Sequence, residues 1–360
     1  MRSCVTSAFV CACALALGLL AGAAHAEDGA KDTSDTIDTD EATGPAATPW
    51  RRPPVSLRGG YTLDRGQVLL SYRFERLGHD ELQSGRDHVS PASLLGVYES
   101  APETLDLDRH VFSALWSPVP QLTFQVELPF LRSVTDQIHR PAAEIEGFET
   151  LSTGFGDVML WVLYRVYRDA YSDLHLNLGL SFPSGSIAEA QPLPLGATPG
   201  SLQRLSYPLQ LGSGTVDLQP GFTYAGHYDA AAWGLQGLAI LRAGTNEFDY
   251  ILGNQYEVML WGGWAWNEWL SNSFSMRWTQ RFGGTGADPR IDPTTSSMND
   301  FDHHAFERLD ALFGVAIEPS GGVLERTRWV LDAGLPAYQN FEGPQPRVKW
   351  LVQFALEVTI

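Results

Sequence analysis

A strict alternation of apolar and polar residues, repeated along most of the chain, is what most constrains the fold. It is cleanest where Leu174, Leu176, Leu178, Leu180 and Phe182 alternate with His175, Asn177, Gly179 and Ser181. The same parity runs through Val68, Leu70, Tyr72 and Phe74, through Leu122, Phe124, Val126, Leu128 and Phe130, and through Trp350, Val352, Phe354, Leu356 and Val358. Helical side chains share a face at spacings of three and four, strand side chains at two. These runs are strands with one apolar face. About twelve can be read, near 66–76, 108–117, 121–131, 155–167, 173–183, 214–226, 232–243, 252–266, 269–282, 306–318, 327–337 and 348–360. Most run to roughly 10–14 residues, against about 5–6 for an ordinary globular strand and about 9–11 for a tilted strand crossing a bilayer.

The connections alternate in size. Short ones include Ser117 to Pro120, Arg168 to Ser172 and Asn267-Glu268; long ones include Leu77 to Leu107, Ser184 to Ser213 and Gly283 to Ala305. Short turns on one side and longer loops on the other are the bacterial outer-membrane arrangement. Trp116, Tyr167, Tyr171, Tyr228, Trp233, Trp264, Trp266, Trp269 and Trp329 cluster near the short turns, as an interfacial girdle would. A soluble β-sandwich could also bury many tryptophans, but needs neither even strand lengths nor alternating loops. The expected fold is all-β, a transmembrane up-and-down antiparallel β-barrel of about twelve strands spanning 61–360.

Composition removes other classes. With 42 Asp+Glu against 24 Lys+Arg the formal charge is −18, which argues against a nucleic-acid partner. Past residue 26 no stretch supplies the roughly 18 uncharged apolar residues of a spanning helix. Arg2, the apolar run Ala8 to Leu20 and the small-residue site Ala24-His25-Ala26 read as a secretory signal over 1–26, which contains Cys4, Cys11 and Cys13, the chain's 3 cysteines. Residues 27–60 are acidic and Pro-rich, with Lys31 alone among seven acidic residues before Pro45, Pro49, Pro53 and Pro54. They are expected to form a disordered linker, a solvated tail too polar to offset the entropy of folding.

Several blocks together resemble a known family. They are Leu70-Ser71-Tyr72-Arg73-Phe74-Glu75-Arg76-Leu77, Gly85-Arg86-Asp87-His88-Val89-Ser90, Gly154-Phe155-Gly156-Asp157-Val158 and Leu163-Tyr164-Arg165. Further along come Gly179-Leu180-Ser181-Phe182-Pro183-Ser184-Gly185-Ser186 and Leu211-Gly212-Ser213-Gly214-Thr215-Val216-Asp217-Leu218. From about residue 60 onward the chain resembles the meta-pathway phenol-degradation family of outer-membrane barrels, often labelled transporters. The resemblance implies a barrel in the outer membrane that passes small, hydrophobic or aromatic solutes. It implies no catalytic residue. The implied partners are outer-membrane lipid and lipopolysaccharide, the outer-membrane assembly machinery and the solute itself. Many barrels end in an aromatic residue used in assembly; this chain ends in Ile360.

If the apolar parity faces lipid, the other parity faces the lumen. That assigns Arg73, Glu75, Arg109, Glu127, Arg165 and His175 to the interior, followed by Asp217, Glu257, Arg277, Arg308, Asp310, Arg328, Asp332 and Glu357. A lipid-facing Arg or Lys at the midplane costs roughly 2–4 kcal/mol, so charge is driven inward. Two readings overlap: an ion-pair network that props the barrel, and a polar conduit that selects solutes. The loop Ser184 to Ser213, with Pro192, Pro194 and Pro199, is the candidate constriction, or else a surface loop.

No Gly-x-Ser-x-Gly elbow, His-Glu-x-x-His helix or phosphate-cradling loop occurs, and no cofactor is expected. His303-His304 beside Asp300 and Asp302 offers metal-ligand types, though adjacent loop histidines are more often solvated. His110 shares the lipid-facing parity of Phe112, which raises an outer-wall lipase of phospholipase type, but serine and asparagine of matching parity are missing beside it. A channel or transporter is the leading expectation, ahead of a barrel enzyme and of a structural or adhesion barrel.

Overall fold

The computed structural model describes residues 52–140, 144–196 and 198–360, so the expected signal peptide and residues 27–51 of the expected linker lie outside the described residues. Among the described residues, eleven strand elements hydrogen-bond in a ring: β1 (Val68–Gly85), β2 (Thr104–Val119), β3 (Leu122–His139), β4 (Val158–Arg168), β5 (Ser172–Phe182), β6 (Val216–Tyr228), β7 (Ala231–Ala243), β8 (Gln255–Ala265), β9 (Leu270–Arg281), β10 (Phe306–Ile317) and β11 (Thr327–Thr359). Each pairs antiparallel with the next. β11 closes the ring on β1 in unbroken register from Leu69↔Thr359 to Gly78↔Trp350. The Ile360 amide donates to the Val68 carbonyl at 2.8 Å at the end of that seam.

β11 is 33 residues long. Its first part pairs with β10, from Ile317↔Trp329 to Phe306↔Phe341, and its second part pairs with β1. Both pairings are antiparallel, so the two parts run in opposite directions and β11 supplies two staves. That gives the even count that an all-antiparallel ring requires. A closed ring also leaves no row of unpaired backbone groups at a sheet edge.

The alternation sets the faces. In β5, Leu176 and Leu178 are 50% and 46% exposed on the outer wall, while His175 and Asn177 are 1% and 3% exposed inside. Leu128, Leu260, Phe274, Phe313 and Leu331 extend the apolar exterior, and Trp116, Tyr171, Tyr228, Trp264 and Trp266 are exposed near the short turns. Two of those turns are held by side chains mimicking a backbone turn. Asp169 Oδ1 accepts from the Tyr171 and Ser172 amides, and Asn267 Oδ1 from those of Trp269 and Leu270.

Indole rings lie over cross-strand glycines: Trp350 over Gly78, Trp161 over Gly179, Trp233 over Gly226 and Trp261 over Gly234. An added Cβ at any of these glycines would enter the ring.

Two features differ from the sequence reading. β1 and β3 run on to Gly85 and His139, and the strand Glu146–Phe155 pairs with the upper part of β3 before β4 begins. Beyond the apolar band both faces carry polar residues, such as Asp136 outside and Thr135 and Gln137 inside, so the alternation that marks a strand fades. The second difference concerns residues 52–60. They are packed inside the barrel and are no solvated tail. Val55 lies against Ala316, Val330 and Ala355, and Leu57 against Ala232, Met259 and Trp261.

Candidate functional site

The inward segment 52–66 has no regular secondary structure, so its backbone carbonyls need partners from the wall. Polar side chains of the inner parity supply them. Arg328 Nη2 donates to the Pro53 carbonyl at 3.0 Å, and Gln236 Nε2 to that of Arg58 at 2.9 Å. The Gly59 carbonyl accepts from Asn177 Nδ2 at 2.7 Å and lies 2.9 Å from His175 Nε2. Arg165 donates to Thr62 Oγ1 and to the Leu63 carbonyl, both at 2.9 Å. Gly59 has φ +56°, and a Cβ there would stand 2.8 Å from Asn177 Nδ2. Only glycine satisfies both the left-handed backbone and the close approach.

The segment thus stops the short-turn end of the barrel. The long-loop end is covered by a cap. Tyr207 packs edge-on against Tyr250, Phe301 and His304, with ring centroids at 5.2, 4.8 and 5.3 Å. Leu193, Leu195, Leu205, Leu209 and Met298 cluster beside it. Between stopper and cap lies a chamber of about 480 Å³. Its lower wall includes Glu75, Arg109, Glu257 and Arg277; its upper wall includes Leu77, Leu107, Leu252, Phe306 and Phe341; its roof includes Tyr207, Pro208 and Met298.

Each charged residue assigned from sequence is accounted for. Glu75, Arg109, Glu257, Arg277 and Arg308 line the chamber. Arg73 bridges Glu75 at 3.0 Å and Glu127 at 3.9 Å, and Arg109 reaches Glu75 at 3.6 Å. Arg277 and Arg308 share Asp310 at 3.1 and 2.9 Å. Asp217 pairs with Arg242, and Glu257 with Arg58 at 3.8 Å. Arg165 and His175 meet Asp173 at 3.6 and 3.2 Å. Arg328 joins Glu318 and Glu357 at 3.2 and 3.3 Å against the stopper. Asp332 is buried. Ion pairing therefore ties strand to strand and wall to stopper.

The sequence reading passed over Arg58, Tyr207 and Arg281, all of which line the chamber. The inner parity of Arg277 and Thr279 extends to Arg281 and was the available signal. Tyr207 and Arg58 lie in stretches without periodicity. Of the loop Ser184 to Ser213, Tyr207, Pro208, Gln210 and Gly212 reach the chamber wall.

The two loop histidines go to different neighbours. His303 Nε2 stands 3.6 Å from Asp300, while His304 is buried against Tyr207 and Phe301. His110 stands on the outer wall, its Nδ1 2.8 Å from the Tyr72 hydroxyl and its ring 5.0 Å from that of Phe74.

Comparison with known proteins places the fold. The structure is similar to an outer membrane channel from Pseudomonas putida F1, with TM-score 0.55 and 16% identity over 85% of this chain and 100% of that one. It also aligns with the toluene transporter TbuX of Ralstonia pickettii (TM-score 0.41, 7% identity, 82% and 90% coverage) and with a FadL homologue of Pseudomonas aeruginosa (TM-score 0.39, 8% identity, 82% and 90% coverage). The first of these supports a shared β-barrel fold. No family model and no curated protein matches the chain.

Proposed function

We propose that the protein is an outer-membrane channel that passes small, hydrophobic or aromatic solutes. One observation carries the reading: a closed barrel with an apolar exterior encloses a chamber of about 480 Å³ whose wall combines apolar side chains with charged ones. Lipid-soluble surface on the outside is what a bilayer solvates. A chamber of this size, lined by apolar side chains together with polar groups that can orient a ligand, has the dimensions of a small-molecule site. The barrel fold shared with an outer membrane channel supports the reading, as do the exposed aromatics beside the short turns. In this setting the outer wall meets membrane lipid and lipopolysaccharide, the assembly machinery inserts the barrel, and the inner charges line the solute's path.

The test is swelling of proteoliposomes with aromatic, sugar and organic-acid solutes of similar mass. The expected result is faster entry of aromatic solutes than of sugars. Absence of entry by every solute, in the native protein and in a Tyr207→Ala variant alike, overturns the proposal.

A further inference from the structure

The chain carries a formal charge of −18, yet its chamber is lined by Arg58, Arg109, Arg277, Arg281 and Arg308 against only Glu75 and Glu257. The glutamates are taken: Arg58 faces Glu257 at 3.8 Å and Arg109 faces Glu75 at 3.6 Å. Arg277 and Arg308 share a single carboxylate, Asp310. Arg281 forms no ion pair among the described residues; its Nε donates to the His304 carbonyl at 2.9 Å. Two guanidiniums thus share one carboxylate, and a third has none.

The surplus is focused on one ring. The guanidinium carbons of Arg281 and Arg308 lie 4.7 and 5.6 Å from the centroid of Phe306. Each arginine engages a protein acceptor through Nε, Arg281 with His304 and Arg308 with Asp310. Among the described residues their Nη atoms meet no hydrogen-bond acceptor, and both side chains line the chamber. Uncompensated charge away from bulk water is costly, and an anion offsets it. The planar guanidinium fork matches a carboxylate bidentately. Around it, Leu77, Leu107, Leu252 and Phe341 form an apolar wall.

We propose that the chamber binds a small carboxylate with an apolar, ring-sized body, its carboxylate held by Arg281 and Arg308 and its body against Phe306 and the neighbouring leucines. The proposal deepens the channel reading and rests on it for solute access to the chamber.

The test is calorimetric titration of the full-length protein in detergent, at low salt, with sodium benzoate and with neutral benzamide. Benzoate is expected to bind roughly tenfold more tightly or better. Arg281→Gln is expected to abolish that preference; Arg281→Lys, which keeps the charge without the fork, should retain part of it. Heat-modifiable gel migration verifies that each variant holds a folded barrel. Equal affinities for the two probes, no binding of either, or a preference that survives Arg281→Gln in a folded barrel overturns the site. Benzoate binding without entry of any solute into liposomes overturns the channel and leaves the site. Entry of aromatic solutes with equal affinities in titration does the reverse.

Discussion

Arg328 holds Pro53 from across the barrel: its Nη2 donates to the Pro53 carbonyl at 3.0 Å while its Nη1 lies 3.3 Å from Glu357. One guanidinium thereby satisfies a stopper carbonyl and neutralises buried carboxylates of Glu318 and Glu357. Replacing it leaves buried Glu318 without its cation and Glu357 with Arg52 alone at 3.5 Å, and stranding a buried acid in this way costs about 3–5 kcal/mol. Arg328→Gln is therefore expected to lower the unfolding midpoint and raise single-channel conductance in planar bilayers. Gly59→Val separates the two effects. A β-branched residue at φ +56° beside Asn177 displaces the segment without stranding a charge. It should raise conductance with little loss of barrel stability. Conductance equal to that of the native protein in both variants would remove the stopper from the mechanism.

At the other end, Tyr207 is the keystone of the cap through edge-on contacts with three rings. Each such pair is worth about 0.5–1.5 kcal/mol beyond area burial. Tyr207→Ala should increase the rate of liposome swelling several-fold. Deleting residues 188–204 should have a smaller effect, because none of the described residues among them borders the chamber. A larger effect from the deletion would place the constriction higher in the loop.

The wall was legible in sequence because lipid-facing and inward positions alternate with the strand pleat itself, as Leu174 to Phe182 shows. The stopper was not. Residues 52–66 carry no periodicity, and their partners, such as Gln236 for Arg58 and Arg328 for Pro53, lie 178 and 275 positions away. The apolar inner residues Met159, Trp161 and Leu163 also escaped notice. They occupy the parity that elsewhere carries charge, packed with Leu238 and near Gly59, so β4 reads as apolar on both faces. The cap is a tertiary product: Tyr207, Tyr250 and Phe301 come from three separate loops.

The exterior makes its own prediction. Leu178 is 46% exposed on β5 and faces outward between Val162 and Pro220 on the adjacent strands. If lipid covers this face, Leu178→Arg destabilises the barrel by roughly 2–4 kcal/mol at the midplane. Denaturant titration of folding into phospholipid vesicles measures it. A water-facing leucine would tolerate arginine within about 0.5 kcal/mol, so a neutral result would take the bilayer away from this face.

The last prediction concerns pH. Burial, then the nearby charge of Arg281 and of His303, pushes the His304 imidazole down to about 3 from its ordinary 6.5. The groups around it are the Arg281 guanidinium, bonded to its carbonyl, His303 with Asp300, and the rings of Tyr207 and Phe301. Between those two pH values the undocked loop binds a proton that the docked loop refuses. Docking is thus fully stable above about pH 6.5 and weakens as pH falls toward 3, by up to about 1.4 kcal/mol per pH unit. Hydrogen exchange across residues 284–305 should show firm protection at pH 7.5 and clear loss at pH 4.5, after correction for intrinsic exchange. His304→Phe keeps a buried ring without the proton site, so its protection should be the same at both values. A variant that still loosens in acid would move the sensor to another group.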